Sequence, residues 1–96
     1  MQNFFKIGNI VVDVEACKIL DSLNGKVINL DFTNMTIKLF ETRTVLSPIR
    51  FNDKREILVW RATRGKWVPI SSMYYDDVVN AIKKLIELNV ENDLLG

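Results

Sequence analysis

Two stretches of this chain alternate apolar and polar residues on both sides of a turn signal, a pattern that fits antiparallel sheet and little else. The first runs from Lys26 to Thr33 and from Met35 to Thr42. A tight turn about Thr33-Asn34 sets Ile28 opposite Leu39, Leu30 opposite Ile37 and Phe32 opposite Met35, all on one face. The other face pairs Val27 with Phe40, Asn29 with Lys38 and Asp31 with Thr36, and is more polar. Asn tolerates a positive φ, which suits it to the turn. A slip by one residue would mix the two sets, so the alternation itself specifies the faces. The second stretch joins Glu56–Thr63 to Lys66–Ile70 about Arg64-Gly65, where Gly65 supplies the positive φ. Pro69 has no N–H for a ladder bond, which predicts that the last strand lies at a sheet edge.

The other segments are read by the same rules. Phe4 to Val12 is apolar and β-branched and predicts a first strand. Asp13 is placed to cap a helix reaching Asn24, with Ala16, Ile19, Leu20 and Leu23 as its apolar stripe and Gly25 as its C-terminal cap. Residues 43–55 carry Ser47-Pro48 and Asn52-Asp53 and predict a long loop. Its cations Arg50, Lys54 and Arg55 make it either a basic arm or an ordinary surface loop. Ser71 or Ser72 caps a final helix from Met73 to Asn89, striped by Tyr75, Val78, Val79, Ile82, Leu85 and Ile86. Asp76 and Asp77 favour the positive end of that helix and need no catalytic role. The expected fold class is therefore α+β in the order β-α-β-β-β-β-α. It has one curved antiparallel sheet of about five strands, with a C-terminal amphipathic helix on one side.

Ninety-six residues, 48% of them hydrophobic and 26% charged, make a single globular domain spanning 1–96. There is no histidine, which removes the usual neutral-pH base and the commonest metal ligand. The four glycines are scattered and form no phosphate-cradling loop. No catalytic set, metal site or cofactor is expected, and the chain is read as a non-enzyme. The single cysteine, Cys17, cannot form an intrachain disulfide, and no apolar run reaches membrane-spanning length. These features point away from a membrane. They favour a cytoplasmic location, or an intracellular one in a host if the protein is viral.

Net charge is only +1, but it is segregated. Residues 1–49 are neutral, residues 50–70 carry +4, and residues 71–96 carry −3. The basic segment contains Trp60-Arg61-Ala62-Thr63-Arg64-Gly65-Lys66-Trp67, which holds both tryptophans of the chain. Flat rings interleaved with cations are what a single-stranded nucleic-acid site requires: rings stack on bases and cations meet phosphates. Pairing about Arg64-Gly65 sets Ala62 opposite Trp67 and Trp60 opposite Pro69. Leu58, Trp60, Ala62, Trp67 and Pro69 then share one face, and Ile57, Val59, Arg61, Thr63, Lys66, Val68 and Ile70 the other. Two arrangements fit. Either the aliphatic face is core and the tryptophans are open, or the tryptophans are core in a sheet covered on both sides.

The stretch Gly65-Lys66-Trp67-Val68-Pro69-Ile70-Ser71-Ser72-Met73-Tyr74-Tyr75, leading into an amphipathic helix, resembles the end of the positive cofactor four family of transcriptional coactivators. Phe5-Lys6-Ile7-Gly8-Asn9 resembles that family's opening strand, and Gly25-Lys26-Val27 is a further echo. The resemblance covers the C-terminal third and the start of the chain. Residues 13–24 and 43–55 have no counterpart, and Trp67 and Pro69 replace the family's glycine and serine. It implies a homodimer with C-terminal helices at the interface and a sheet surface that binds single-stranded DNA. Lys6, Trp60, Arg61 and Lys66 are the residues it carries over.

The expected function is single-stranded DNA or RNA binding, as in a transcription or replication accessory protein. Trp60 and Trp67 would stack on bases, and Arg61, Arg64, Lys66, Lys54, Arg55 and Lys6 would meet phosphates. The alternative is a small protein-interaction module, an inhibitor or adaptor, with Trp60 and Trp67 as its hot spot.

Overall fold

The computed structural model describes residues 3–41 and 46–95. Within them the strands are β1 (Phe4–Ile7), β2 (Ile10–Asp13), β3 (Lys18–Asp21), β4 (Lys26–Asp31), β5 (Lys38–Glu41), β6 (Leu46–Phe51), β7 (Ile57–Arg61) and β8 (Lys66–Pro69). Each pairs antiparallel with the next, giving one eight-stranded sheet in chain order. A 3-10 turn at Ile70–Ser72 leads to the one α-helix of the described residues, α1 (Asp76–Leu95). The expected β-α-β-β-β-β-α order with about five strands is thereby overturned. The described residues hold eight strands, and residues 13–24 form no helix.

Residues 13–24 show why. Their apolar spacing fits a helix, but β2 and β3 form a hairpin with Val12 opposite Ile19 and Ile10 opposite Asp21. Of the supposed stripe only Ile19 is buried, while Leu23 is 73% exposed. Aspartates fix the two flanking turns. Asp13 Oδ1 accepts the Ala16 N–H at 3.0 Å, and Asp21 Oδ1 accepts the Leu23 N–H at 3.0 Å. Cys17 takes a positive φ of 54°, which a helix interior cannot hold. Gly25, expected to cap a helix, closes the β3–β4 turn instead, donating its N–H to the Asp21 carbonyl at 2.8 Å.

Both expected hairpins form, each with its pairing displaced by two residues. Leu30, not Ile28, lies opposite Leu39. The connection is a six-residue segment, 32–37, containing a 3-10 turn with Asn34 at φ 55°. Asp31 anchors it by accepting the Thr33 N–H and hydroxyl. In the last hairpin Trp60 lies opposite Trp67 and Leu58 opposite Pro69. Its turn takes four residues, 62–65, with Arg64 and Gly65 donating their N–H groups to the Arg61 carbonyl and Gly65 at φ 62°. A shift of two preserves every face, because strand side chains repeat every two residues.

The expected loop over 43–55 is also corrected. Residues 46–51 are β6, paired with β5 and β7, so Arg50 belongs to the sheet and not to an arm. Residues 43–45 of that expectation lie outside the described residues. The true turn is short: Asn52 Oδ1 accepts the N–H groups of Lys54 at 3.0 Å and Glu56 at 2.9 Å.

One face of the sheet is core. Ile10, Val12, Ile19, Ile28, Leu30, Leu39, Ile49, Ile57 and Val59 join α1 residues Val78, Val79, Ala81, Ile82, Leu85 and Ile86 in a single apolar cluster. The helix lies on β1, β2 and β3, and the 3-10 turn lies on β7. The helix begins at Asp76, three residues later than expected, because Ser71 and Ser72 are in the 3-10 turn, where the Ser72 hydroxyl donates to the Pro69 carbonyl. Every expected stripe residue except Tyr75 is buried against the chain's own sheet.

Candidate nucleic-acid interface

With the core on one face, the other face of the sheet is left to solvent. Strand pairing gives its pattern directly. Lys6, Val11, Leu20 and Val27 form one row across β1–β4, and Phe4, Asp13, Lys18, Asn29 and Phe40 another across β1–β5. Asp31, Lys38 and Pro48 continue it, followed by Arg50, Leu58 and Pro69, and last by Trp60 and Trp67.

The two indoles are cross-strand neighbours on this solvent face. Their ring centroids are 5.6 Å apart with 64° between planes, an edge-to-face pair. Trp60 is 36% exposed and Trp67 is half-buried. The Arg50 guanidinium lies over the Trp67 ring, 4.2 Å from its centroid. Of the two arrangements the alternation permitted, the protein adopts the one with aliphatic residues in the core and tryptophans outside. Ile57, Val59, Val68 and Ile70 are the buried side of the same hairpin.

The cations separate from the rings. Arg61 and Lys66 pair across the hairpin, at positions that alternate to the core side, and both are exposed where the strands run past the core. Arg64 is in the turn beyond them. Lys54 and Arg55 sit in the β6–β7 turn, at the opposite end of β7 from the hairpin tip. Lys6 shares the tryptophans' face but lies on β1, at the other end of the strand order from β8. So the basic residues do not form one patch around the rings. Sequence reasoning missed Arg50 as the ring partner because its position was taken for loop; the Ile49-Arg50-Phe51 alternation is the signal that could have found it.

Acids on the solvent face are occupied locally. Hydrogen bonds from the Thr33 hydroxyl and N–H, helped by the Lys38 charge, hold Asp31 below the usual carboxylate range. On the core side, Asp21 is buried, and a hydrogen bond from the Tyr75 phenol with backbone N–H groups lowers its pKa. The same bond pushes Tyr75 up to about 12. Tyr74, the preceding residue, donates instead to the Glu41 carboxylate, and Lys26 closes that group by pairing with Glu41 at 3.1 Å. Among the described residues no three of His, Cys, Asp and Glu converge to hold a metal, and no helix is long and apolar enough to cross a membrane.

Comparison with known protein families, curated proteins and solved structures finds no match to this chain.

Proposed function

We propose that this chain is a non-enzymatic binding domain whose solvent-facing sheet takes single-stranded DNA or RNA, as an accessory protein of transcription or replication. The observation that carries the reading is the placement of Trp60 and Trp67 side by side outside the core, with Arg50 over one ring. Folding does not need them there, because the aliphatic residues of β7 and β8 already fill the core side. Exposed aromatic area on a sheet flanked by Lys38 and Arg50 offers stacking and charge together. A strand crossing the hairpin would leave its bases on the indoles and its backbone near the hairpin tip, where Arg61, Arg64 and Lys66 gather.

Oligonucleotide addition is expected to quench tryptophan fluorescence, more strongly for a single strand than for a duplex of equal length, because a duplex keeps its base faces inside its own stack. Equal affinity for both, or no quenching at low salt, would defeat the reading.

The occupied face of Trp67 favours a second reading. A preformed Arg-Trp-Trp set is also the composition of a protein-binding hot spot. Salt separates the two, since phosphate contacts weaken steeply as salt rises and apolar contacts do not. The homodimer implied by the family resemblance belongs to the first reading, and sedimentation at micromolar concentration tests it.

A further inference from the structure

A cleft of about 450 Å³ opens on the core side of the sheet, away from the tryptophans. Strand ends and the segment after β8 build it: Lys26 opens β4, Glu41 closes β5, Arg61 closes β7, and Val68, Ser72, Met73 and Tyr74 form the far wall with Arg64 at the rim. Its volume is within the range of small-ligand sites. Its charges are unequal. Glu41 is the one acid of the lining, and it is already engaged by Lys26 at 3.1 Å and by the Tyr74 hydroxyl. Lys26 also lies over the Tyr74 ring, 4.6 Å from its centroid, which fixes the pair in place. Arg61 and Arg64 form no ion pair among the described residues. The cleft thus holds two uncompensated guanidiniums beside a fixed, internally neutral triad. Guanidinium forks match phosphate oxygens in geometry as well as charge.

We propose that this cleft binds a phosphate monoester, the dianion whose two charges match the two free arginines. A phosphodiester within a strand carries one charge and matches less well. The monoester could belong to a free mononucleotide or to the phosphorylated end of a strand. Either source fits the chemistry, and the site lies on the other side of the sheet from the indoles, sharing only Arg61 and Arg64 with the strand path proposed above.

Calorimetric titration of the full chain at low salt tests the assignment, with AMP, adenosine, and a short single strand bearing either a 5′-phosphate or a 5′-hydroxyl. AMP or the 5′-phosphorylated strand is expected to bind one to one and more tightly than its unphosphorylated counterpart. A preference confined to AMP identifies a free nucleotide, and one confined to the strand identifies its terminus. The double variant Arg61→Gln/Arg64→Gln should weaken that binding at least about tenfold, the loss expected when charge-assisted bonds are removed. Both side chains are exposed, so its unfolding midpoint should stay in place. Glu41→Gln should tighten binding about two- to fivefold by removing the one acid. Trp60→Ala should leave AMP affinity unchanged even if it abolishes quenching by oligonucleotides, which keeps the two sites distinguishable. No phosphate preference, full binding by the arginine double variant, or equal loss in Trp60→Ala would overturn the proposal.

Discussion

Strands β2–β4 and strands β6–β8 present the same kind of residue to the core and different kinds to solvent. Inside, Ile10, Val12, Ile19, Ile28 and Leu30 are matched by Ile49, Ile57, Val59 and Val68. Outside, the first group shows Val11, Asp13, Lys18, Leu20, Val27, Asn29 and Asp31, aliphatic or polar with charges of both signs and no aromatic ring. The second shows Pro48, Arg50, Leu58, Trp60, Trp67 and Pro69, with two indoles and no acid. The packing requirement is met equally in both, so it cannot account for the difference outside. What distinguishes the second group is surface chemistry that the fold leaves free, and that is where binding is argued to reside.

The largest effects should come from the inside and be alike in both groups. Ile19→Ala and Ile57→Ala, at positions 0% and 1% exposed, are each expected to destabilise by about 2–5 kcal/mol in urea unfolding. A much smaller loss at Ile57 would mean that the second group is not core-packed and that the comparison fails.

Outside, the two groups should diverge. Trp60→Ala is expected to remove about 1–3 kcal/mol of single-strand affinity, read by fluorescence of the remaining indole. Its effect on folding should be smaller, about 0.5–1.5 kcal/mol for the lost ring pair beyond any burial. Leu20→Ala, also on the solvent face and 40% exposed, should leave affinity unaltered. Equal losses from both would spread the site over the whole face.

Arg50→Gln sharpens the comparison further. Loss of the cation over Trp67 should cost about 0.5–1 kcal/mol of stability at such an exposed site. If the guanidinium also meets a phosphate, the slope of log affinity against log salt should flatten by about 0.7. An unaltered slope would restrict Arg50 to holding the ring.

The smallest effect concerns Asp21 and Tyr75, on the core side of the first group. Asp21 has a lowered pKa when folded, so its contribution is present above about pH 4 and is lost as pH falls through the folded value. Tyr75 is raised to about 12, so its contribution is present below the unfolded value of 10.0 and is lost as pH rises from there through about 12. Tyr75→Phe should flatten stability against pH at both ends. A variant that still loses stability between pH 10 and 12 as the parent does would remove the pair from that dependence.

The legible parts of this fold were those where period two ran uninterrupted into a turn. Strand faces in β4, β5, β7 and β8 followed from alternation alone, and so did the outward tryptophans as one of two arrangements. Turn length did not follow. Asp31 through its carboxylate and Arg61 through its backbone carbonyl accept backbone donors that lengthen each connection, and acceptors of that kind leave no periodic trace. Residues 13–24 misled because Ile19 and Leu20 satisfy a helical stripe as readily as a strand with one buried and one exposed side chain. The Pro48 in β6 hid a strand, since proline in a run argues against sheet unless its missing N–H faces away from the ladder. Arg50 was lost with it, and the cleft around Glu41 joins residues far apart in the chain.

The indole pair also makes the last hairpin optically self-reporting. Two ring transitions held edge to face at 5.6 Å share excitation, and such coupling produces a band of paired opposite signs in circular dichroism. The band depends on Trp60 standing opposite Trp67. A slip of two residues would keep both rings on the solvent face yet place Trp60 against Pro69, and the paired band would vanish while the sheet signal persisted. Register, which burial cannot distinguish here, is thus written in the protein's own spectrum.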